Sequence, residues 1–424
     1  MLNKILITIC MTCMLLIPEA LTIGIISYPK LIMTMIFIII IVKIITDNIH
    51  KNKTFNKKDF NSFIIYILIG IGIYTTITLI SNLCNSFINK EFILAKYFEV
   101  LRGILYIGVI CAFTILSKKM EDKKYVEKLL LIFIVINCLI GMSQHFNPFR
   151  INELYIRTTA PTQFKTLVDD YPDRRVVGLT SNPNVFGFLL SIGSIYVIYL
   201  LFKNNKNIWY YLILVLQKIT LFMTMSRTSY VCLIIMEFSF LLFYFAINKK
   251  LKKWIVSSLL LIIIELAFIF MLPDAITWRI KQVIIPEQLT SWNERQNKNR
   301  EFMLSIIEDN ENNEDNENNE SIELNLIIGV GSNRGNKFIY DNEWFMILYC
   351  YGIIGVIGYI LIFTLPMLKL IKYDFMSKIL YISLVIGFFV YMIPAAIYQS
   401  YKLFPLFLII IMISMREKEN VLER

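Results

Sequence analysis

Charge is scarce in this chain. Charged residues make up 17% of 424 and apolar residues 57%, with a mean hydropathy of +0.62. Soluble domains carry about 25% charged and about 45–50% apolar residues, so a water-soluble globular class is excluded and a membrane protein is expected. Histidine is scarcer still: His50 and His145 are too few and too far apart for a zinc site. The seven cysteines are an odd count, and most lie inside apolar runs. Cys10 and Cys13 form a CxxC without the second pair that a metal or redox site would need. No small-residue cleavage site follows the first apolar run, and a second run comes at once. Residues 5–27 therefore read as a span interrupted by Pro18 and Glu19, not as a cleaved leader. No internal repeat is visible.

What the chain has in abundance is long apolar runs, at 5–27, 31–46, 60–81, 97–116, 126–142, 184–202, 208–225, 228–247, 254–272, 343–366, 379–397 and 401–415. Most reach the ~17–25 residues that a helix needs to cross the hydrocarbon, and the short 31–46 can do so if the bilayer thins around it. The net charge of +10 resides largely in lysines of short connectors: 47–59, 117–128, 203–206, 248–253 and 367–378, with the tail 416–424. That placement fits membrane topology better than nucleic-acid binding. With about 12 spans, all these connectors fall on one face, and two long ones, 143–183 and 273–342, fall on the other. The expected fold is an all-α polytopic membrane protein, one integral domain over 1–424. It has about 12 transmembrane helices, cytoplasmic termini and two long extracytoplasmic loops.

Outer loops of this length call for a reason. The first carries Arg150, Arg157, Lys165, Arg174 and Arg175. The second carries Arg279, Trp292, Arg295 and Arg300, then an acidic tract from Glu308 to Glu323. That tract reads as a solvated, disordered insertion; it lacks the glycine and regular ligand spacing of a calcium loop. Cations and amides at a membrane surface suit a lipid-linked anion. The stretch Arg174-Arg175-Val-Val-Gly178-Leu-Thr-Ser-Asn182-Pro183-Asn184 sets two arginines and an Asn-Pro-Asn at the mouth of an apolar run. It reads equally as a charged loop with a Pro turn opening a helix. Arg227, after Met225 and Ser226, either snorkels to the surface or serves a polar cavity. Gly329-Val-Gly331 has neither the strand-turn-helix setting of a dinucleotide site nor a Walker lysine, so its glycines more plausibly fold the loop close to the membrane. Asp341 reads as a helix cap, or as a carboxylate serving as base or acceptor-orienting group.

In this order and on one face, Arg175-x-x-Gly178, Asn182-Pro183-Asn184, Ser226-Arg227, Arg300, Gly329-x-Gly331 and Asp341-Asn342 before Gly352-x-x-Gly355 resemble the O-antigen polymerase and ligase superfamily, bacterial membrane glycosyltransferases of the C-type fold. The resemblance covers roughly 170–360. It implies metal-independent, cofactor-free transfer of a glycan from an undecaprenyl-pyrophosphate carrier at the outer face of the bacterial cytoplasmic membrane. The partners it implies are that lipid-linked oligosaccharide, membrane lipids, a chain-length regulator and a flippase, and no nucleic acid. By motif position Arg175, Arg227 and Arg300 would grip the diphosphate and Asp341 would serve the acceptor, while Arg174, Asn182, Asn184 and Asn342 would bind substrate. Ligases of the family carry His-Asn where this chain has Asp341-Asn342, which favours a polymerase of O-antigen or capsule repeat units. Ligation to another acceptor and flipping of the same lipid are the alternatives.

Single-cysteine labelling in intact membranes tests the topology. Positions near 55, 120, 250 and 374 should react from the cytoplasmic side, and positions near 165 and 310 from outside. Finding 165 and 310 on opposite faces would refute the arrangement.

Overall fold

The computed structural model of the protein describes residues 2–19, 22–23, 26–49, 61–88, 97–158, 167–168, 174–180, 182–203, 207–247, 326–332, 342–395, 398 and 400–415, with scattered positions in 256–270 and residue 297. The chain is built from helices: α1 (Leu2–Leu15), α2 (Tyr28–Ile49), α3 (Ser62–Ile88), α4 (Phe98–Leu116), α5 (Met120–Phe146), α6 (Ile151–Thr158), α7 (Pro183–Lys203), α8 (Ile208–Met223), α9 (Arg227–Ile247), α10 (Glu343–Thr364), α11 (Phe375–Tyr391) and α12 (Leu403–Ser414). Among the described residues seven helices, α2, α3, α4, α5, α7, α9 and α10, are long and apolar enough to cross a bilayer, and α1, α8, α11 and α12 are shorter apolar helices. This is the build of a multi-pass membrane protein. The expected run at 254–272 and the acidic tract 308–323 lie mostly or wholly outside the described residues.

Two expected spans change shape. The first apolar run is not one helix: α1 stops at Leu15, ahead of Pro18, and two-residue strands at Thr22–Ile23 and Ile26–Ser27 pair antiparallel. Proline cannot donate into the helical ladder, and Glu19 has partners elsewhere: its carboxylate accepts from Tyr401 N at 3.0 Å and Ser400 Oγ at 3.3 Å. The second span is longer than its apolar core suggests, 22 residues, because Pro29 is accommodated in its first turn.

Lipid tails are as apolar as leucine, so helices in a bilayer associate through close packing and hydrogen bonds. Helix α3 lies between α4 and α10, and α7 is surrounded by α8, α9, α11 and α12. At Gly70 the backbones of α3 and α10 nearly touch, and a Cβ there would sit 2.7 Å from Ile362 Cα. Buried aromatic rings fill the bundle. Tyr74 meets Tyr359 and Tyr398 edge-on at 5.3 and 5.1 Å between centroids, and Phe188 of α7 stacks on Tyr391 at the end of α11 at 4.0 Å.

Helix α10 is broken in its middle. Gly352 has φ 63° and ψ −167°, a conformation essentially restricted to glycine. Residues 326–332 fold back against the break. Val330 N donates to Tyr349 O at 3.0 Å and Gly331 N to Cys350 O at 2.9 Å, while Ser81 Oγ of α3 also donates to Cys350 O, at 3.1 Å. Asn85 Nδ2 donates to Gly329 O at 2.9 Å, and Asn82 Oδ1 accepts from Ser332 N at 2.7 Å. The Gly329-x-Gly331 motif is thus a main-chain plug that pairs the carbonyls of an interrupted helix, the condition for irregular backbone at this depth. Gly352→Ala should destabilise the fold by on the order of 3 kcal/mol, because a Cβ would lie 2.2 Å from Ile327 O. Thermal unfolding in detergent would show it; an unshifted transition would mean that the break relaxes freely.

Candidate functional site: an arginine corner at two helix starts

The loop from Arg174 to Thr180 is clamped on several sides. Gly178, at φ +55°, turns the chain over the ring of Phe186, where a Cβ would come within 2.4 Å of Cε2. Gln144, buried near the end of α5, accepts from Val177 N and Gly178 N at 3.0 and 2.8 Å and donates to Gly178 O at 2.8 Å. Leu179 O accepts from Lys402 Nζ at 2.7 Å and from Glu19 N at 3.1 Å. Val176 N donates to Met223 O at 3.3 Å, fastening the loop to the end of α8.

These anchors hold the two half-buried arginines by their main chain. Arg174 donates to His145 O at 2.9 Å. Arg175 donates through Nε to Thr224 O at 3.2 Å and through Nη2 to Asn184 Oδ1 at 3.0 Å. Two bonds from one planar guanidinium set the direction of the whole fork. Asn182 Oδ1 accepts from Asn184 N at 2.8 Å and Asn182 O from Phe186 N at 3.0 Å, so the Asn-Pro-Asn opens α7 with proline in the first helical position.

The turn between α8 and α9 completes the corner. Met225 sits at φ +50°, a left-handed position uncommon for a side-chain-bearing residue. Ser226 Oγ accepts from Ser229 N at 3.3 Å and caps α9. Ser229 Oγ donates to Asn184 O at 2.9 Å, tying the start of α9 to the start of α7. Arg227, half-buried, is the first residue of α9. Arg174, Arg175, Asn182 and Asn184 thus share one end of the α7–α9 pair with Arg227, which is remote from them in the chain. Two helix N-termini open there, each bringing the positive end of its dipole. Cations, amides and dipoles together make an environment for an oxyanion.

The other expected site residues stand differently. Arg300 and Asp341 lie outside the described residues. Asn342 is the cap of α10: its Oδ1 accepts from Trp344 N and Phe345 N at 3.0 and 3.3 Å, the role that the sequence offered to Asp341. The neighbouring Glu343 is buried, its N donating to Met392 O at 3.0 Å and its Oε1 accepting from Tyr398 N at 2.8 Å.

Several structural polar residues escaped the sequence reading, and Glu19 entered it only as an interruption of the first apolar run. Gln144, Glu19, Lys402 and the buried Glu99–Arg102 ion pair, whose guanidinium lies 4.9 Å over the Tyr401 ring, all hold helix ends together. The available signal was their presence in or beside apolar runs, where a polar group requires a partner. Gln144→Leu should remove three hydrogen bonds from buried main chain and cost on the order of 3 kcal/mol. Limited trypsin digestion should then cut at Arg174 and Arg175, bonds expected to resist in the unaltered protein; equal resistance would mean that the other anchors suffice. Comparison with family models, with curated proteins and with solved structures returns no match for this chain.

Proposed function

We propose that this protein is a glycosyltransferase of the bacterial cytoplasmic membrane that polymerises undecaprenyl-pyrophosphate-linked oligosaccharide repeat units into a surface polysaccharide. The observation that carries the reading is the arginine corner. Arg175, aligned by Asn184 and Thr224 O, shares the start of the α7–α9 pair with Arg227 and two helix N-termini. Transfer to an acceptor hydroxyl breaks the bond between the sugar's anomeric carbon and the carrier's diphosphate. Negative charge grows on the departing phosphate oxygen, and fixed guanidinium groups stabilise it as it appears. In this reading positive charge comes from arginines, while the hydroxyl's proton passes to Asp341 or to a phosphate oxygen as the new bond forms. Arg174, Asn182 and Asn184 then contact the headgroup.

A second reading, a carrier of the same lipid, is favoured by one observation: Lys218 is buried between Glu237 and Glu265 within the bundle. Purified protein given a lipid-linked repeat unit separates the two, since an enzyme yields a polymer ladder and a carrier yields none. Arg175→Lys should lower ladder formation nearly as far as Arg175→Ala, by roughly 30- to 1000-fold, because lysine keeps the charge and loses the bidentate fork. Asp341→Asn should lower it by about 100-fold or more at unchanged protein level if this carboxylate takes the proton. Normal ladders from Arg175→Lys would reduce the residue to a source of positive potential.

A further inference from the structure

A second polar centre lies inside the bundle, away from the arginine corner. Lys218 of α8 sits between two carboxylates: its Nζ is 3.0 Å from Glu237 Oε1 of α9 and hydrogen-bonded to Glu265 Oε1. Tyr230 OH of α9 donates to Glu265 Oε2 at 2.8 Å. The three charged side chains are only 7%, 1% and 4% exposed. Lys218 is six residues before Thr224 and Glu237 ten after Arg227. At 1.5 Å per helical residue they lie about 9 and about 15 Å beyond the corner. With α8 and α9 read as spans, this is hydrocarbon depth.

Counted among the described residues, the charge at this centre is unbalanced. One ammonium neutralises one carboxylate, and a second carboxylate without a counter-charge would be a bare anion in the least hospitable medium available. The donors divide unequally. Both oxygens of Glu265 receive a hydrogen bond, one from Lys218 and one from Tyr230. Glu237 is held less fully: Lys218 Nζ lies 3.0 Å from its Oε1 and 3.4 Å from its Oε2, and no second donor reaches it among the described residues. Both carboxylates crowd one ammonium, Glu237 Oε1 and Glu265 Oε1 each lying against Lys218 Nζ. Ionised carboxylates are acceptors only, so two of them can hydrogen-bond to each other only with a proton between them. The charged groups acting on Glu237 are Lys218 and Glu265. Among the described residues, α7 and α11, which also pack on α9, place no charged group against it.

We infer that Lys218, Glu237 and Glu265 form an intramembrane proton-binding site: Lys218 and Glu265 are the ion pair, and Glu237 holds a proton shared with Glu265. The site does not depend on the glycan-polymerising reading. Glu237 lies on α9, the helix that begins with Arg227, so gain or loss of the proton changes the charge of a helix that presents the corner.

Infrared spectroscopy of the full-length protein in phosphatidylcholine vesicles tests the inference at neutral pH, with choline as the only added cation. The carbonyl stretch of a protonated carboxylic acid should be present and should lose one group's intensity in Glu237→Gln. Glu265→Gln should lose the same intensity, because Lys218 then pairs with an ionised Glu237. The double variant Lys218→Met with Glu265→Gln should keep it, since Glu237 is left without a cation and stays protonated. Monodisperse elution of each variant guards against misfolding, and the double variant keeps the test decisive where a single one fails to fold. A spectrum unchanged by Glu237→Gln overturns the proposal. So does loss of the band when sodium replaces choline, which would make the centre a metal-cation site.

Discussion

Within a bilayer the main chain has no water to pair with, and that constraint governs three described places where a helix of this protein stops, turns or breaks. Gln144 supplies donor and acceptor groups to the loop at Val177 and Gly178. Lys402 and Glu19 meet at Leu179 O, and residues 329–332 pair the carbonyls exposed by the break at Gly352. In each case a side chain or folded-back segment replaces the water that a soluble protein would use. The consequence is rigidity: a loop that cannot solvate its own backbone is held wherever its partners hold it. Arg174 and Arg175 inherit that rigidity, since their segment is among the most heavily anchored described.

Charge is distributed by the same logic. At the helix ends, ionised groups pair locally or lie over aromatic rings, as Arg102 does with Glu99 and Tyr401. The arginine corner differs in carrying Arg174, Arg175 and Arg227 at one end of a helix pair, beside the dipoles of α7 and α9. The Lys218–Glu237–Glu265 centre is the opposite arrangement, with opposite charges packed close and the excess removed by a proton. One suits an anion arriving from the interface, the other a charge that must not be exposed to lipid.

Much of the architecture was legible in the chain before any coordinates, because hydrocarbon selects on a single property. Ten of the expected runs overlap described apolar helices, and the first does so only over its N-terminal half. Their boundaries moved where polar residues are helical too: α5 begins at Met120, well ahead of its apolar core, because Glu121 and Asp122 suit the positive end of the helix dipole in its first turn. The interruption at Pro18 was legible, though not the hairpin that follows it. For the site, Arg174 to Asn184 and Ser226-Arg227 stood out as polar residues at the edges of greasy runs. Gln144 did not, since a glutamine near a helix end is ordinary until the amides that it meets are known.

The sequence by itself determined a membrane-embedded helical chain and the short list of cations and amides at its helix starts, because hydropathy and charge are local properties that need no partner. Only the tertiary structure decided that Arg175 meets Asn184 and the Thr224 carbonyl, that Gly329-x-Gly331 plugs a broken helix, and that Lys218 lies between two carboxylates. Each is a contact between residues remote in sequence. Its existence depends on how helices pack and where their breaks fall, which the order of the residues does not display.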